Sequence, residues 1–126
     1  MARAKELLFV YGTLRRGALR GGQRNPFAIR LEQEAGWLGE AKVRGRLYQV
    51  NPEYPGLAKA KSAKEWVSGE VWELGDAELW QTLDDYEGAE YVRVLWTVTT
   101  ADGRKRDAWV YVYASRITMA MAIVAV

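Results

Sequence analysis

Apolar residues in this 126-residue chain recur mainly with the two-residue period of β-strands, and with helical period in just two short stretches. Residues 7–11 (Leu-Leu-Phe-Val-Tyr) are a run of β-formers stopped by Gly12, the pattern of a buried strand. Residues 37–50 predict one long strand bent at Gly39 and Gly45, and residues 66–74 predict another. Residues 91–99 and 107–113 alternate on either side of Ala101-Asp102-Gly103, a hairpin signal with Arg104-Lys105-Arg106 at its solvated tip. The helical stretches are 26–35, with Asn25 as N-cap, Pro26 in first position and Gly36 as the stop, and 76–87, capped by Asp76. Residues 51–56 carry turn chemistry, and 12–22 form a basic, glycine-rich loop. With no repeat and no linker, the chain reads as a single α+β domain over residues 1–126, built round a small, curved or barrel-like sheet.

Cysteine and histidine are both absent. That excludes disulfide scaffolds and thiolate metal sites, and with them imidazole triads and most zinc enzymes. No metal site is expected, and acid–base chemistry must run on Asp, Glu, Lys, Tyr or a chain terminus. The net charge of +2 is too small to argue for nucleic acid. Its distribution is uneven: residues 1–64 carry 13 Lys and Arg against 5 Asp and Glu, a balance of +8, and residues 65–126 carry −6. Nine acids and no base fall between Glu65 and Glu90, which in one folded domain reads as internal complementarity. The start of the chain lacks the apolar core of a signal peptide, and residues 117–126 are apolar over about half the length a bilayer needs. The expected setting is the cytoplasm, without a membrane partner. So apolar a tail needs burial, as an added strand or across a dimer, and the expected state is monomer or homodimer.

Glu87 is the most informative residue. On the helix opening at Asp76, it falls on the apolar stripe of Leu79, Trp80, Leu83 and Tyr86, whereas Glu78, Gln81, Thr82 and Asp85 share the polar face. It also sits in the last turn before Gly88, where the helix dipole disfavours an anion. Desolvation and dipole both push its pKa upward, which a chain without histidine needs for proton transfer near neutrality. The other reading is that the helix frays early and leaves Glu87 in water. Tyr11-Gly12-Thr13-Leu14 leaves a buried strand through a tight turn whose amides can converge on a carboxylate or oxyanion, or simply form a strand exit. The following glycines match neither a phosphate-binding Walker loop nor a dinucleotide fingerprint. Arg15, Arg16, Arg20 and Arg24 beside aromatics suit either solubility or a phosphate backbone. Trp109, Tyr111 and Tyr113 share one strand face, opposite Val110 and Val112.

Phe9-Val10-Tyr11-Gly12-Thr13-Leu14-Arg15-Arg16-Gly17 resembles the opening strand and loop of the gamma-glutamylcyclotransferase-like superfamily, in its gamma-glutamylamine cyclotransferase and avirulence-induced-gene-like branch. Val43-Arg44-Gly45-Arg46-Leu47-Tyr48, Tyr54-Pro55-Gly56-Leu57, Val67-Ser68-Gly69-Glu70-Val71-Trp72 and Leu83-Asp84-Asp85-Tyr86-Glu87-Gly88 follow in the family's order. Tyr91-Val92-Arg93 and Ala108-Trp109-Val110-Tyr111 complete a likeness covering residues 7–114; the tail beyond departs from the polar ending of the pattern. The resemblance implies a small curved β-barrel of about five to seven strands with two short flanking helices. It implies that Tyr11, Gly12, Thr13 and Leu14 bind the α-amino-acid end of a γ-glutamyl group, largely through backbone, and that Glu87 is the general acid/base. Tyr91 and a tyrosine of the last strand, Tyr111 or Tyr113, would line the pocket. The implied reaction is self-cyclisation, releasing 5-oxoproline and a free amine from a γ-glutamyl amine or a related small amide, with no metal or organic cofactor. A catalytically inactive metabolite-binding module of the same fold, and a nucleic-acid-binding small barrel using the Arg-rich loop, are the alternatives.

Overall fold

A computed structural model of the chain describes residues 6–11, 19–20, 23–50 and 55–114. Five antiparallel or parallel strands close into a barrel in the order β1 (Glu6–Val10), β7 (Trp66–Leu74), β4 (Gly36–Arg44), β8 (Tyr91–Thr100) and β9 (Lys105–Tyr113). The seam is a short parallel pairing of β1 with β9, at Leu8 with Trp109 and Phe9 with Val110. Two small hairpins flank the barrel, β2 (Leu19–Arg20) with β3 (Gln23–Arg24), and β5 (Arg46–Gln49) with β6 (Pro55–Ala58). Two helices, α1 (Pro26–Glu34) and α2 (Ala77–Glu87), lie against its outer face.

The period-two pattern sorts each strand between two cores. Leu7 and Phe9 of β1, with Tyr11 just beyond it, join the barrel interior with Val43, Val67, Val71, Val98 and Val110, closed over by Leu47 and Leu57 of the β5–β6 hairpin. Leu8 and Val10 face the other way, into a cluster with Leu31 of α1, Trp72 of β7 and Leu79, Trp80 and Leu83 of α2. Each such buried side chain contributes about 1.5–3 kcal/mol of transfer free energy, so α2 is anchored by its apolar stripe rather than by intrinsic helicity.

The expected α+β barrel is present, with differences in detail. The stretch 37–50 is two strands in different sheets, broken where the Gly45 N–H turns to the Glu65 carbonyl at 3.2 Å; Gly39 marks a register shift in β4. Pro55 and Gly56 belong to β6 rather than to a turn, since Tyr48 pairs with Gly56 and Gln49 with Pro55. The basic loop includes β2, which pairs with β3 just beyond the loop's end. Helix α1 stops at Glu34 with Ala35 as its C-cap, and Gly36 opens β4. Lys105 and Arg106 are exposed residues of β9, paired with Thr99 and Val98, rather than part of the tip. Interleaving of the charge-skewed halves occurs at Arg46–Glu65, whereas Arg24–Glu32, Arg30–Glu34 and Arg93–Asp84 each lie within one half. Among the described residues, no helix is long and apolar enough to cross a membrane.

Candidate active site

The Asp76 carboxylate opens α2 by accepting from the Glu78 N–H at 2.8 Å. Burial of Leu79, Trp80 and Leu83 then fixes the helix rotation, and positions 84 and 87, on the same stripe as 80 and 83, are turned toward the barrel. The helix holds to its last residue. Gly88 ends it at φ +73°, a conformation open to glycine, and donates to the Asp84 carbonyl at 3.2 Å. Tyr86 is tied to the start of α1, accepting from the Asn25 side-chain amide and packing on the Phe27 ring with centroids 4.1 Å apart. The fraying expected as one reading of Glu87 therefore does not occur. Its side chain is half-buried, and desolvation pushes its carboxyl from 4.5 up to about 7.

Tyr11, where β1 ends, is near enough to feel the charge of Glu87. Its hydroxyl donates to the Tyr111 carbonyl at 2.7 Å and accepts from the Leu57 N–H at 3.2 Å. The single O–H donor is thus used inside the fold, and the phenol ties β1, β6 and β9 together. Burial raises its pKa well above the ordinary tyrosine value, with the Leu57 N–H opposing and the negative charge of Glu87, then of Tyr91, reinforcing. Tyr111 is also raised, first by burial and then by its bond to Asp84, with Glu87 adding a smaller push. Glu87, Tyr11, Tyr91 and Tyr111 therefore share one electrostatic neighbourhood. Tyr113 joins its edge, its ring 5.7 Å from that of Tyr91 in a T-shaped contact. Gly12, Thr13 and Leu14 lie outside the described residues, as do Arg15, Arg16 and the tail 115–126; Arg24 is exposed and paired with Glu32.

Two further residues stand in this neighbourhood. The Asp84 carboxylate accepts from Arg93 Nε at 3.0 Å, from Arg93 Nη2 at 3.1 Å and from the Tyr111 hydroxyl at 2.7 Å. Asp84 was detectable in sequence, four residues beyond Trp80 and therefore on the stripe. Arg93 was not, because nothing local says that a strand residue nine positions later will meet it. Together with Tyr91, Val92, Trp109 and Tyr111 they line an open groove of about 500 Å³. Among the described residues no three acidic side chains converge so as to hold a metal ion.

A half-buried carboxyl poised near neutrality, close enough to Tyr11 and Tyr111 for its charge to be felt there, can accept and return a proton without histidine. A family model described as gamma-glutamyl cyclotransferase, AIG2-like, matches residues 8–123, reaching past 114 into the apolar segment. The fold is similar to that of an AIG2-like protein from Mus musculus, with TM-score 0.74 and 24% identity over 91% of this chain and 81% of that one. YkqA from Bacillus subtilis is similar with TM-score 0.68 and 24% identity, over 87% of this chain. The chain spans 36% of the length of YkqA. A protein named gamma-glutamyl cyclotransferase gives TM-score 0.62 at 16% identity, over 87% of this chain and 67% of that one. No curated protein matches the chain.

Proposed function

The chain belongs to the gamma-glutamyl cyclotransferase, AIG2-like family, and from that premise we propose that it releases 5-oxoproline and a free amine from a small γ-glutamyl amide, with Glu87 as general acid/base. The substrate's own α-nitrogen attacks its γ-carbonyl carbon, closing a five-membered ring through a tetrahedral intermediate. The bond from that carbon to the leaving nitrogen then breaks. Glu87 takes a proton from the α-ammonium to free the nucleophile; the nitrogen gives up a second as the ring closes, and the departing nitrogen receives both and leaves as an ammonium, so protons balance over the cycle. Gly12, Thr13 and Leu14 bind the α-amino-acid end through their backbone, following Tyr11, whose side chain anchors the strand end. Tyr91, Tyr111 and Tyr113 wall the site. The nucleophile belongs to the substrate, so the reaction asks for positioning and proton transfer rather than for an activated Ser or Cys.

What carries this reading is the Glu87 carboxyl, held half out of water with its pKa near 7. An α-ammonium titrates at roughly 7.7–8.0. An ordinary glutamate would accept its proton at a cost of about 5 kcal/mol, whereas a carboxyl near 7 reduces that cost to about 1 kcal/mol. The test is 5-oxoproline release from a panel of γ-glutamyl amines and peptides. The wild type is expected to turn over at least one, and Glu87→Gln to lose turnover by at least a thousandfold while still binding that compound in calorimetry. A wild type that binds a panel member and never releases 5-oxoproline would instead be a binding module of the same fold.

A further inference from the structure

We propose that Asp84, together with Arg93 and Tyr111, is a positioning cluster that sets Glu87 against the end of β1; this rests on the role proposed above for Glu87. Three elements meet on the Asp84 carboxylate one helical turn before Glu87: its own helix, Arg93 of β8 with two prongs, and the Tyr111 hydroxyl of β9. Arg93 is itself packed on two indoles, its guanidinium carbon 4.6 Å from the Trp80 ring centre and 4.9 Å from that of Trp109. The backbone is fixed at the same point, since the Asp84 carbonyl takes the Gly88 N–H that closes the turn containing Glu87. The chain of bonds then continues toward the site: the Tyr111 carbonyl receives the Tyr11 hydroxyl, which receives the Leu57 N–H. Asp84 is thus where the helix that carries the acid/base is registered to the strand from which the candidate binding loop departs. Tyr86, bonded to Asn25 and packed on Phe27, holds the opposite side of the same turn.

An ion pair that merely adds stability would be worth about 1 kcal/mol or less at this degree of exposure. A displacement of about 1 Å in a reacting group costs about a hundredfold in rate. The cluster is therefore expected to show in turnover out of proportion to its effect on stability.

The decisive readout separates position from charge. The charge of Glu87 acts on Tyr11 at the end of β1 and on Tyr111 of β9; Tyr91 of β8 acts on Tyr11, and Asp84, one turn earlier on the same helix, acts on Tyr111 and is paired with Arg93 of β8. Through charge alone, Asp84→Asn would lower the Glu87 pKa and Arg93→Met would raise it. Loss of position lets water reach the carboxyl in both. Titration of the Glu87 carboxyl carbon by NMR, on the full chain, is expected to show the midpoint falling by about one pH unit or more in both variants. The acid limb of the rate profile should move with it, kcat should drop ten- to a hundredfold with KM changed less than threefold, and the double variant should be no slower than the slower single. Tyr111→Phe, which keeps the ion pair and loses one bond to Asp84, should be intermediate, and it serves where Asp84→Asn does not fold. Val98→Ala, a truncation in the barrel interior seven residues along β8 from Tyr91, should lower the melting temperature and leave kcat within twofold. Opposite midpoint shifts in Asp84→Asn and Arg93→Met, or an unchanged midpoint and kcat in both, would overturn the cluster while Glu87→Gln remained inactive. A fully active Glu87→Gln would instead overturn the functional reading, and the NMR midpoints would still decide whether Asp84 positions that carboxyl.

Discussion

Burial lifts the Glu87 carboxyl from 4.5 to about 7, so the folded chain keeps a proton there across a pH range in which the unfolded chain has lost it. Below about 4.5 both states are protonated and the group costs nothing. Between about 4.5 and 7 the unfolded state alone releases its proton, and stability falls with rising pH until both states are ionised. Allowing for partial exposure, the loss above pH 7 is on the order of 2 kcal/mol. Glu87→Gln removes it. Chemical denaturation should find this variant more stable than the wild type at pH 8 and nearly equal to it at pH 4; equal stabilities at pH 8 would mean that the carboxyl is not held from water. A residue that impairs folding at neutral pH is one whose placement serves something else. It could be read in the sequence because a carboxylate seven residues from Trp80 shares the stripe of a short, well-capped helix. Its surroundings could not, since Tyr11 and Tyr111, which feel its charge, come from strands whose adjacency depends on how the barrel closes.

At the scale of elements, the barrel tolerates little change where strands approach one another most closely. A Cβ built on Gly69 of β7 would stand 2.2 Å from the Val10 carbonyl oxygen and 2.6 Å from Cζ of Phe9. Gly69→Ala must therefore push β1 away from β7, and a loss of about 3 kcal/mol or more in urea denaturation is expected. Gly88→Ala is a different case: nothing lies within 4 Å of the added methyl, and the cost is the backbone conformation alone, φ +73° with ψ −167°, a region essentially restricted to glycine, about 1–3 kcal/mol. Elements whose borders are set by local chemistry were legible in the sequence. Strand 66–74 and the Asp76-capped helix are as the pattern predicts because alternation, cap and stripe agree over their whole lengths. The 37–50 stretch was misread as one strand because its alternation continues across Gly45, while the partners change from β7 and β8 to β6. The β2–β3 hairpin was missed for the opposite reason: two-residue strands are too short to carry any period.

For the molecule as a whole, barrel closure and the site meet at one place. Most strand neighbours are joined by long antiparallel ladders, nine residue pairs between β8 and β9 and five between β1 and β7, but β1 meets β9 through two parallel pairs. Just beyond those pairs, the Tyr11 hydroxyl bonds the Tyr111 carbonyl and extends the seam by a side-chain link. Tyr11→Phe removes that link, leaving the Tyr111 carbonyl and the Leu57 N–H without their partner, at a cost of about 1–3 kcal/mol. The effect should be local in character, because the backbone seam itself is only two residue pairs. Hydrogen exchange should therefore quicken at the β1 amides near the seam and at Leu57, while the β4–β7 ladder, with eight residue pairs, keeps the protection of the wild type once global stability is matched by denaturant. Uniform acceleration across all five strands would mean that Tyr11 supports the fold at large, and that its place beside Glu87 is incidental to how the barrel is closed.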